Sequence, residues 1–482
     1  MAKKNKKKSK KQPLKKKITK NSNRNAKQIF DPTFTYLKRS KEPDKSNDEP
    51  ILCLRNDSIK KSTAIVNKKK KKLKQKEVKG KGEKFTVPNV TLNPEQEETL
   101  KKMLDWWHNS SNQTFEITGA AGTGKTTLIR YLVAKLGLRK DEVLFTAYVG
   151  KATLAMTRNG LNAKTIHTAI CTFSRKLRRD KNGKQIVIDG KPQYERTFKK
   201  LPALDPEIQL IVVDEAAMVP YELATWLLSY GIRVIALGDL NQLPPVFGEG
   251  YFLHNIDSRL TEIMRQSSES PIPHLAKAIT EGKFIPNKEL NIMDKIFVIR
   301  SDHLTDEMLT KADIILTQTN RQRDYLNKYL REGIYGRTQP YPMIGDKMVC
   351  RHNNWDKAIL KNIYLVNGMI GYVEDIDLES LTKNSIYFDF RPEFTKKEVF
   401  RDVTADLYYL HLDTKYKKDY ISLQNFDLFE YGYAITCHLA QGSEYANILI
   451  DMRNSYFRDR LFYRQWLYTA VTRATDTVTI II

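Results

Sequence analysis

Short β-branched runs alternate with segments of helical periodicity through residues 85–482. Four apolar runs of strand length are bounded by turn residues, at 114–118, 143–147, 209–213 and 234–237. After the first run, Leu128, Ile129, Leu132, Val133 and Leu136 recur at helical spacing. Strands that alternate with helices are typical of domains built around a parallel sheet. We therefore predict an α/β fold with ligands at the carboxyl ends of its strands.

The first 84 residues lack this pattern and are strongly basic. They carry 30 Lys or Arg and eight Asp or Glu, whereas the remaining residues carry 51 and 48. Such a self-repelling sequence with few apolar residues cannot offset the entropy of ordering, so we predict a disordered Lys-rich tail over residues 1–84. Three roles stay open: an arm for nucleic-acid phosphates, a solubilising tail or a nuclear-import signal. We also expect any replication or recombination proteins to bind through this tail.

Composition excludes several classes of protein. Hydrophobic residues make up 41% and charged residues 28% of the chain, and no apolar run approaches the ~18 residues that cross a bilayer. The cysteines at 53, 171, 350 and 437 show no C-x-x-C spacing, which argues against a metal knuckle and for reduced thiols. No apolar core of a secretory signal follows the N-terminal charges. We therefore expect a cytoplasmic protein without membrane contact, with nuclear import left open.

A glycine-rich loop joins the first predicted strand to the first helix. Residues 119–126 have the G-x-x-x-x-G-K-T spacing, in which backbone N–H groups wrap phosphates at a helix N-terminus. Lys125 would reach the β- and γ-phosphates, and the Thr126 hydroxyl would bind Mg²⁺. The predicted nucleotide-binding residues of this loop are Gly119, Gly122, Thr123, Gly124, Lys125, Thr126 and Thr127. The strand before the loop and the helix after it favour ATP binding over a chance match.

Two adjacent carboxylates follow the run 209–213. Asp214 and Glu215 would lie at the carboxyl end of that strand, where open α/β sheets bind their ligands. We predict Asp214 as the Mg²⁺ partner and Glu215 as the base that polarises the attacking water. A solvated acidic turn is the alternative interpretation.

Further segments before and after the loop occur in a fixed order. They comprise residues 92–96 (Leu-Asn-Pro-Glu-Gln), 150–152, 163–167, 214–218, 238–239, 242–246 (Gln-Leu-Pro-Pro-Val), 262–266 (Glu-Ile-Met-Arg-Gln), 316–320, 367–371, 433–438, 441–444 and 468–474 (Tyr-Thr-Ala-Val-Thr-Arg-Ala). This order resembles the superfamily 1 helicases, in the branch of the RecD-like and Dda-type phage DNA helicases. The resemblance covers about residues 85–482 and leaves the tail unexplained.

The resemblance implies two RecA-like P-loop NTPase lobes that clamp ATP between them. The expected domains are residues 85–262 for the first lobe, 263–342 with 429–482 for the second lobe, and 343–428 for an SH3-like β-barrel insertion. Residues 171–200 contain two short strands around an Asp-Gly turn. The family carries a β-hairpin pin there that splits the duplex. A surface hairpin without function is the alternative.

The resemblance also implies roles for individual residues around the nucleotide. Gln96 would contact adenine and Gln242 would sense the γ-phosphate, while Arg265 and Arg473 would reach that phosphate from the second lobe. Glu444 is placed at the nucleotide as well. Two guanidinium groups that neutralise the transferring phosphoryl only in the closed state would couple hydrolysis to closure of the lobes.

A second set of positions resembles the nucleic-acid track of the family. It consists of Lys151, Thr165, His167, Thr319, Asn320, Thr436 and His438. Lys and Thr suit phosphate contacts, which position a strand without reading its sequence. For His167 a purely structural role is an equal alternative. Tyr148, Trp355 and Tyr433 could stack on bases or belong to the core.

These features predict a DNA helicase that depends on ATP and Mg²⁺. It would track single-stranded DNA in the 5′ to 3′ direction, a polarity implied by resemblance alone, and unwind forked duplex in replication, recombination or repair. We expect a monomer. The alternatives are an RNA helicase of the same superfamily and a basic nucleic-acid-binding protein that uses ATP only to switch affinity.

Overall fold

The computed structural model describes residues 82–482, apart from 178, 180–182, 186, 189–190, 193, 246–247, 263, 265–269, 360–362 and 412–426. These residues belong to the unit Pro43–Ile482, one of two into which the chain divides. The predicted disorder of the tail falls almost entirely outside the described residues. Within the described part, no helix has the length and apolar character needed to cross a bilayer.

The first lobe is built on a parallel sheet with helices on its faces. Its elements are α1 (Pro94–Asn109), β1 (Thr114–Gly119), α2 (Lys125–Lys135), β2 (Val143–Ala147), α3 (Gly150–Arg158), β3 (Ala163–Thr165), α4 (Ile166–Ile170), β4 (Cys171–Leu177), β5 (Val187–Ile188), β6 (Lys191–Pro192), β7 (Tyr194–Lys200), β8 (Leu210–Asp214), α5 (Tyr221–Leu228), β9 (Arg233–Gly238) and β10 (Ser258–Leu260). The strand order is β10-β1-β9-β8-β2-β3, with every pair parallel.

The apolar runs of the sequence form the buried centre of this sheet. Leu210 to Val213 of β8 and Val234 to Leu237 of β9 are all at most 1% exposed, as expected of parallel strands that are covered on both faces. The carboxyl ends of β1, β8 and β9 therefore meet at one edge. The glycine-rich loop and the Asp214–Glu215 pair are carried there.

The predicted hairpin leaves this lobe between α4 and β8. Strands β4 and β7 pair antiparallel from Cys171 with Lys200 to Leu177 with Tyr194, and β5 and β6 extend the arm. The predicted Asp189-Gly190 turn lies outside the described residues. The base of the hairpin is closed by a backbone hydrogen bond from Leu201 N to Ile170 O at 2.8 Å.

The second lobe contains a similar sheet that is interrupted by the insertion. Its elements are α6 (Pro271–Thr280), β11 (Leu290–Ile292), β12 (Ile296–Ile299), α7 (Asp306–Lys311), β13 (Ile314–Thr317) and α8 (Asn320–Lys328), then the insertion strands β14 (Lys347–Cys350), β15 (Asn354–Ile359), β16 (Ile363–Leu365), β17 (Ile370–Asp377), β18 (Ser385–Pro392) and β19 (Phe400–Asp406), followed by α9 (Leu407–His411), β20 (Phe429–Tyr431), β21 (Ala434–Thr436), α10 (Cys437–Ala440), β22 (Tyr445–Asp451), α11 (Arg460–Val471) and β23 (Ala474–Ile481). The order is β11-β12-β23-β22-β13-β21, and only the β11–β12 pair is antiparallel among these described strands.

The insertion is an antiparallel sheet with the order β19-β18-β17-β14-β20. A bridge between Ala405 and Asp427 brings its two outer strands together. Strand β20 pairs with β14, so the sheet extends to Tyr431, past the predicted boundary at 428. Buried ion pairs attach the insertion to the second lobe: Asp346 accepts from Arg331 Nε at 2.9 Å and Glu430 lies 3.1 Å from Arg323 Nη1.

Candidate functional site

The glycine-rich loop connects β1 to α2 in a conformation that requires glycine. Gly122 and Gly124 have φ of 83° and 80°, which side chains disfavour. The Lys125 ammonium lies inside the loop and donates to Gly119 O at 2.6 Å and Ala120 O at 3.0 Å. The Lys125 charge and the N-terminus of α2 thus point at the same space, which suits a polyphosphate.

The acidic pair lies where the sequence predicts, at the carboxyl end of β8. Glu215 has a positive φ of 50°, and its N–H donates to Asp214 Oδ1 at 2.9 Å. Burial raises the pKa of both carboxyls, and mutual repulsion raises the pKa of Glu215 further, whereas the Lys125 charge opposes both shifts. A carboxylate with a raised pKa is a better base than a solvated one.

Arg473 enters the same cleft from the second lobe. Arg473 is 3% exposed, and its guanidinium donates to Thr469 O at 3.1 Å and Ser443 O at 3.2 Å. Its positive charge also lowers the pKa of Glu215. Arg265, the other predicted arginine, lies outside the described residues.

Gln242 and the residues around it join the two lobes. Leu243 N donates to Thr469 Oγ1 at 2.8 Å, and Gln441 Nε2 donates to Leu243 O at 3.0 Å. Tyr468 OH donates to the buried Asp239 carboxylate at 2.6 Å. The loop after β9 is therefore bonded to the helix that precedes Arg473. Sequence reasoning assigned no role to these cross-lobe pairs, because each joins residues far apart in the chain.

The cleft that these residues surround has a volume of about 980 Å³. Most of the predicted nucleotide residues line it: Gln96, Gly122, Gly124, Lys125, Thr126, Thr127, Asp214, Glu215, Gln242, Glu444 and Arg473. Gly119 and Thr123 shape the loop instead, since a Cβ on Gly119 would lie 2.8 Å from Thr123 Oγ1 and the Thr123 hydroxyl donates to Ala120 O at 3.0 Å.

Gln96 is buried against the loop. Its Oε1 accepts from Asn93 N at 3.1 Å, which completes a capping box at the start of α1. Its Nε2 donates to Thr123 O in the glycine-rich loop at 2.9 Å. A Cβ on Gly124 would come within 2.6 Å of Gln96 Nε2. Gln96 therefore sets the position of the loop, in addition to lining the cleft.

One observation tests whether ATP and Mg²⁺ fit this site. Gln242 is 8% exposed, and its Oε1 is a buried atom without a hydrogen-bond partner among the described residues. A buried polar atom of this kind is costly unless a ligand satisfies it. Asp214 and the Thr126 hydroxyl supply the oxygen ligands that Mg²⁺ prefers together with substrate phosphates. The residues present fit both groups.

Two threonines of the predicted nucleic-acid track, Thr165 and Thr436, end strands of the two sheets. Thr165 ends β3 beside Ala147, and Thr436 ends β21 beside Thr317. Both precede a short helix and are followed two residues later by a histidine. Thr319 is exposed and caps α8, with its side chain accepting from Gln322 N at 3.2 Å, and Asn320 begins that helix.

The two histidines of the track have similar environments. Burial lowers the pKa of His167 and of His438 to about 4. The His167 ring packs 5.2 Å from Phe198 of the hairpin and 6.0 Å from Tyr148. Both histidines are therefore neutral near pH 7, and any contact they make with nucleic acid is a hydrogen bond or a packing contact.

Lys151 lies in the cleft between the lobes. Its Nζ donates to Tyr445 OH at 3.2 Å and the side chain lines the cavity. Burial lowers the pKa of Lys151 to about 7, with Glu393 opposing this shift and Lys347 and Arg473 adding to it. Lys151, predicted for the nucleic-acid track, thus lines the same cavity as the predicted nucleotide-binding residues.

The candidates for base stacking are placed differently. Tyr433 is 8% exposed, and its hydroxyl donates to Asp346 at 2.8 Å. Tyr148 packs on His167. The Trp355 side chain is outside the described set. Tyr433 therefore belongs to the core, at the junction of the second lobe and the insertion, and is not exposed for stacking.

A parallel sheet with a phosphate loop, an acidic pair two strands away and an arginine from a second sheet form the arrangement of a two-lobed P-loop nucleotide-binding protein. Residues 91–299 match the family model described as an AAA domain, and residues 431–481 match the UvrD-like helicase C-terminal domain. The chain is similar to the RecD2 and Pif1 helicases, which confirms the resemblance to superfamily 1 found in its motifs.

Several curated relatives carry helicase names, among them two bacterial proteins. The ATP-dependent RecD2 DNA helicase of Deinococcus radiodurans is 27% identical over 75% of this chain and 46% of its own length. The ATP-dependent DNA helicase Pif1 of Campylobacter jejuni is 24% identical over 75% of this chain and 86% of its own length. An uncharacterised Methanocaldococcus jannaschii protein is 23% identical over 95% of this chain and 42% of its own. The chain thus spans less than half of RecD2 and of the archaeal protein.

Among solved structures, the crystal structure of Pif1 helicase from Candida albicans has a TM-score of 0.46 at 18% identity. The match covers 81% of this chain and 94% of that chain.

Proposed function

We propose that this protein is an ATP-dependent DNA helicase that tracks single-stranded DNA from 5′ to 3′ and unwinds forked duplex. The observation that carries the proposal is the cleft, in which Lys125 and Glu215 of the first lobe line the same cavity as Arg473 of the second. The names of the RecD2 and Pif1 relatives support DNA as the polynucleotide.

The first lobe would bind ATP and activate water. Lys125 and the loop N–H groups would hold the phosphates, and Asp214 with Thr126 would hold Mg²⁺, which would supply positive charge to the phosphates. Glu215 accepts the proton of the attacking water. Gln242, whose amide oxygen has no hydrogen-bond partner among the described residues, would orient that water or the γ-phosphate.

The second lobe would make hydrolysis depend on closure. Arg473 is held by Thr469 O, and Thr469 is bonded to Leu243 of the first lobe. A shift of the loop after β9 therefore displaces the helix that fixes Arg473. Because the arginine stabilises charge mainly in the transition state, turnover would occur only when the lobes are aligned.

Strand separation is assigned to the hairpin formed by β4–β7, and the track to the threonine-bearing edges of both sheets. The insertion is proposed to be the SH3-like element of this architecture. A monomeric state, a cytoplasmic location and phosphate binding by the tail remain predictions.

The first test uses the catalytic carboxylate. Glu215→Gln should hydrolyse ATP at least ~100-fold more slowly, because general-base catalysis is lost, while binding ATP near normally. Lys125→Ala should lose binding as well. Glu222→Gln, at an exposed position on α5, is the matched control and should behave like the parent.

Fork substrates with DNA, RNA or hybrid tracking strands complete this test. Unwinding of the DNA fork alone supports the proposal, and faster unwinding of RNA would replace it with an RNA helicase. Near-normal DNA-stimulated turnover by Glu215→Gln would remove Glu215 from its role.

A further inference from the structure

A loop between β22 and α11 is held firmly at the edge of the second lobe. The loop comprises residues 452–459, which follow Asp451. The Gln318 side chain forms hydrogen bonds with its main chain. Tyr456 N donates to Gln318 Oε1 at 2.6 Å, while Gln318 Nε2 donates to Tyr456 O. One amide thus satisfies both backbone groups of a single residue.

Two further anchors fix the same loop. Arg453 donates through Nε and Nη2 to the fully buried Asp451, with both distances 2.9 Å. The Phe457 ring packs 5.4 Å from Trp466 and 5.0 Å from Tyr463. The loop is therefore ordered on both sides of Tyr456.

Despite these anchors, the Tyr456 side chain is 81% exposed. Burying an aromatic side chain is worth roughly 1.5–3 kcal/mol, and the neighbouring Phe457 does pack inward. A loop pinned so that its aromatic ring faces solvent presents a flat surface at a fixed position. Such a surface suits stacking by a planar ligand.

The position of Tyr456 indicates which planar ligand this is. Gln318 precedes Thr319 and Asn320, which belong to the proposed track, so its bonds place Tyr456 directly beside that track. Exposed Arg458 lies in the loop and exposed Arg460 follows it, while exposed Arg321 comes three positions after Gln318; Arg458 also pairs with Asp459 at 3.0 Å. Positive charge beside an exposed ring is the combination that binds single-stranded nucleic acid.

We propose that Tyr456 is a base-stacking residue that extends the track across the second lobe, and that Gln318 positions it. The inference rests on the proposed function, since it presumes that single-stranded DNA crosses this edge. The ligand is a nucleobase of the tracked strand. Stacking is tolerant of sequence because every base has a π-face.

The test compares affinities for one labelled oligo(dT) by fluorescence anisotropy. Tyr456→Ala should weaken binding roughly 5- to 100-fold, the range for losing one stacked base, and Tyr456→Phe should retain parental affinity. The slope of log K against log salt should be equal for the parent and Tyr456→Ala, because stacking neutralises no phosphate. Tyr221→Ala is the matched control: Tyr221 is 71% exposed, in the first lobe.

A second readout reports contact directly. The fluorescence of Tyr456→Trp, compared with the parent and its five native tryptophans, should be quenched by oligo(dT). Parental affinity of Tyr456→Ala together with unquenched Tyr456→Trp would overturn the inference. A parent that binds no oligonucleotide would instead overturn the proposed function, so the two failures are distinguishable.

Discussion

At the scale of residues, burial determines the charge of the two histidines of the predicted track. His167 and His438 each follow a threonine by two positions at the end of an edge strand, one in each lobe. Their lowered pKa values, about 4, mean that neither adds positive charge to the track near pH 7. Positive charge for the phosphates would therefore come from other residues, such as Lys151 and the exposed arginines near Tyr456.

The same shift predicts how stability depends on pH. Because the folded pKa of each histidine lies below its unfolded value of about 6.5, the unfolded state binds more protons between these values. The free energy of unfolding should therefore fall as the pH is lowered from 7 to 5, by up to about 1.4 kcal/mol per pH unit for each histidine. Urea denaturation of the parent and of His438→Gln measures this, and the variant should lose less stability.

His108→Gln provides the control, since His108 is exposed on α1. It should show the parental dependence on pH. An equal loss of stability in His438→Gln and the parent would contradict the assignment of a neutral, buried His438.

At the scale of elements, the root of the hairpin is bonded to the first lobe through Tyr230. Helix α5 begins shortly after Glu215 and is followed by Tyr230, whose hydroxyl lies 2.7 Å from Leu201 O and 3.3 Å from Ile170 O. These carbonyls belong to the two chain segments that enter and leave the hairpin. Lys200 lies 4.7 Å above the Tyr230 ring. One side chain therefore clamps both segments to the first lobe.

Removal of this hydroxyl should loosen the hairpin without touching the nucleotide. A hydrogen bond contributes about 0.5–1.5 kcal/mol, so Tyr230→Phe is expected to slow unwinding about two- to tenfold and to leave ATPase stimulated by single-stranded DNA unchanged. Amide hydrogen exchange over residues 171–200 should accelerate in parallel.

Tyr221→Phe, at an exposed position on α5, serves as the comparison and should match the parent in both assays. Parental unwinding by Tyr230→Phe would show that the hairpin is held by other contacts or does not split the duplex.

The local elements were predictable from sequence, and the long-range contacts were not. The strand, glycine loop and helix around Lys125 follow from periodicity and glycine spacing, and the hairpin follows from an Asp-Gly turn. The bond from Gln318 to Tyr456 and that from Tyr468 to Asp239 leave no local pattern, because they join distant segments. The location of Lys151 against Tyr445 likewise depends on how the lobes meet.

At the scale of the whole molecule, helix α3 is the place where all three parts touch. Lys151 bonds to Tyr445 of the second lobe, while Arg158 lies 5.2 Å above the Phe394 ring of the insertion. A Cβ on Gly150 would lie 2.8 Å from Val366 Cβ. Movement between the lobes therefore also moves the first lobe against the insertion.

The cross-lobe bond from Tyr468 to Asp239 yields a prediction at this scale. A hydrogen bond to a charged group is worth about 1.5–3 kcal/mol, so Tyr468→Phe should lower DNA-stimulated turnover about tenfold or more by disfavouring the aligned state. Affinity for single-stranded DNA should change little. Steady-state ATPase and anisotropy on the same oligonucleotide measure the two quantities.

Tyr463→Phe is the matched control on the same helix, where the ring packs on Phe457. If Tyr468→Phe retains parental turnover, the pair is a structural contact that does not limit closure.

The position of β23 in its sheet has a consequence for how the protein is made. This strand lies between β12 and β22, so the sheet of the second lobe stays in two pieces until residues 474–481 have been synthesised. Until then, β12 and β22 present open edges of the kind that promote aggregation. Arg473 immediately precedes β23. A nascent chain therefore holds Arg473 in its place only as the sheet closes.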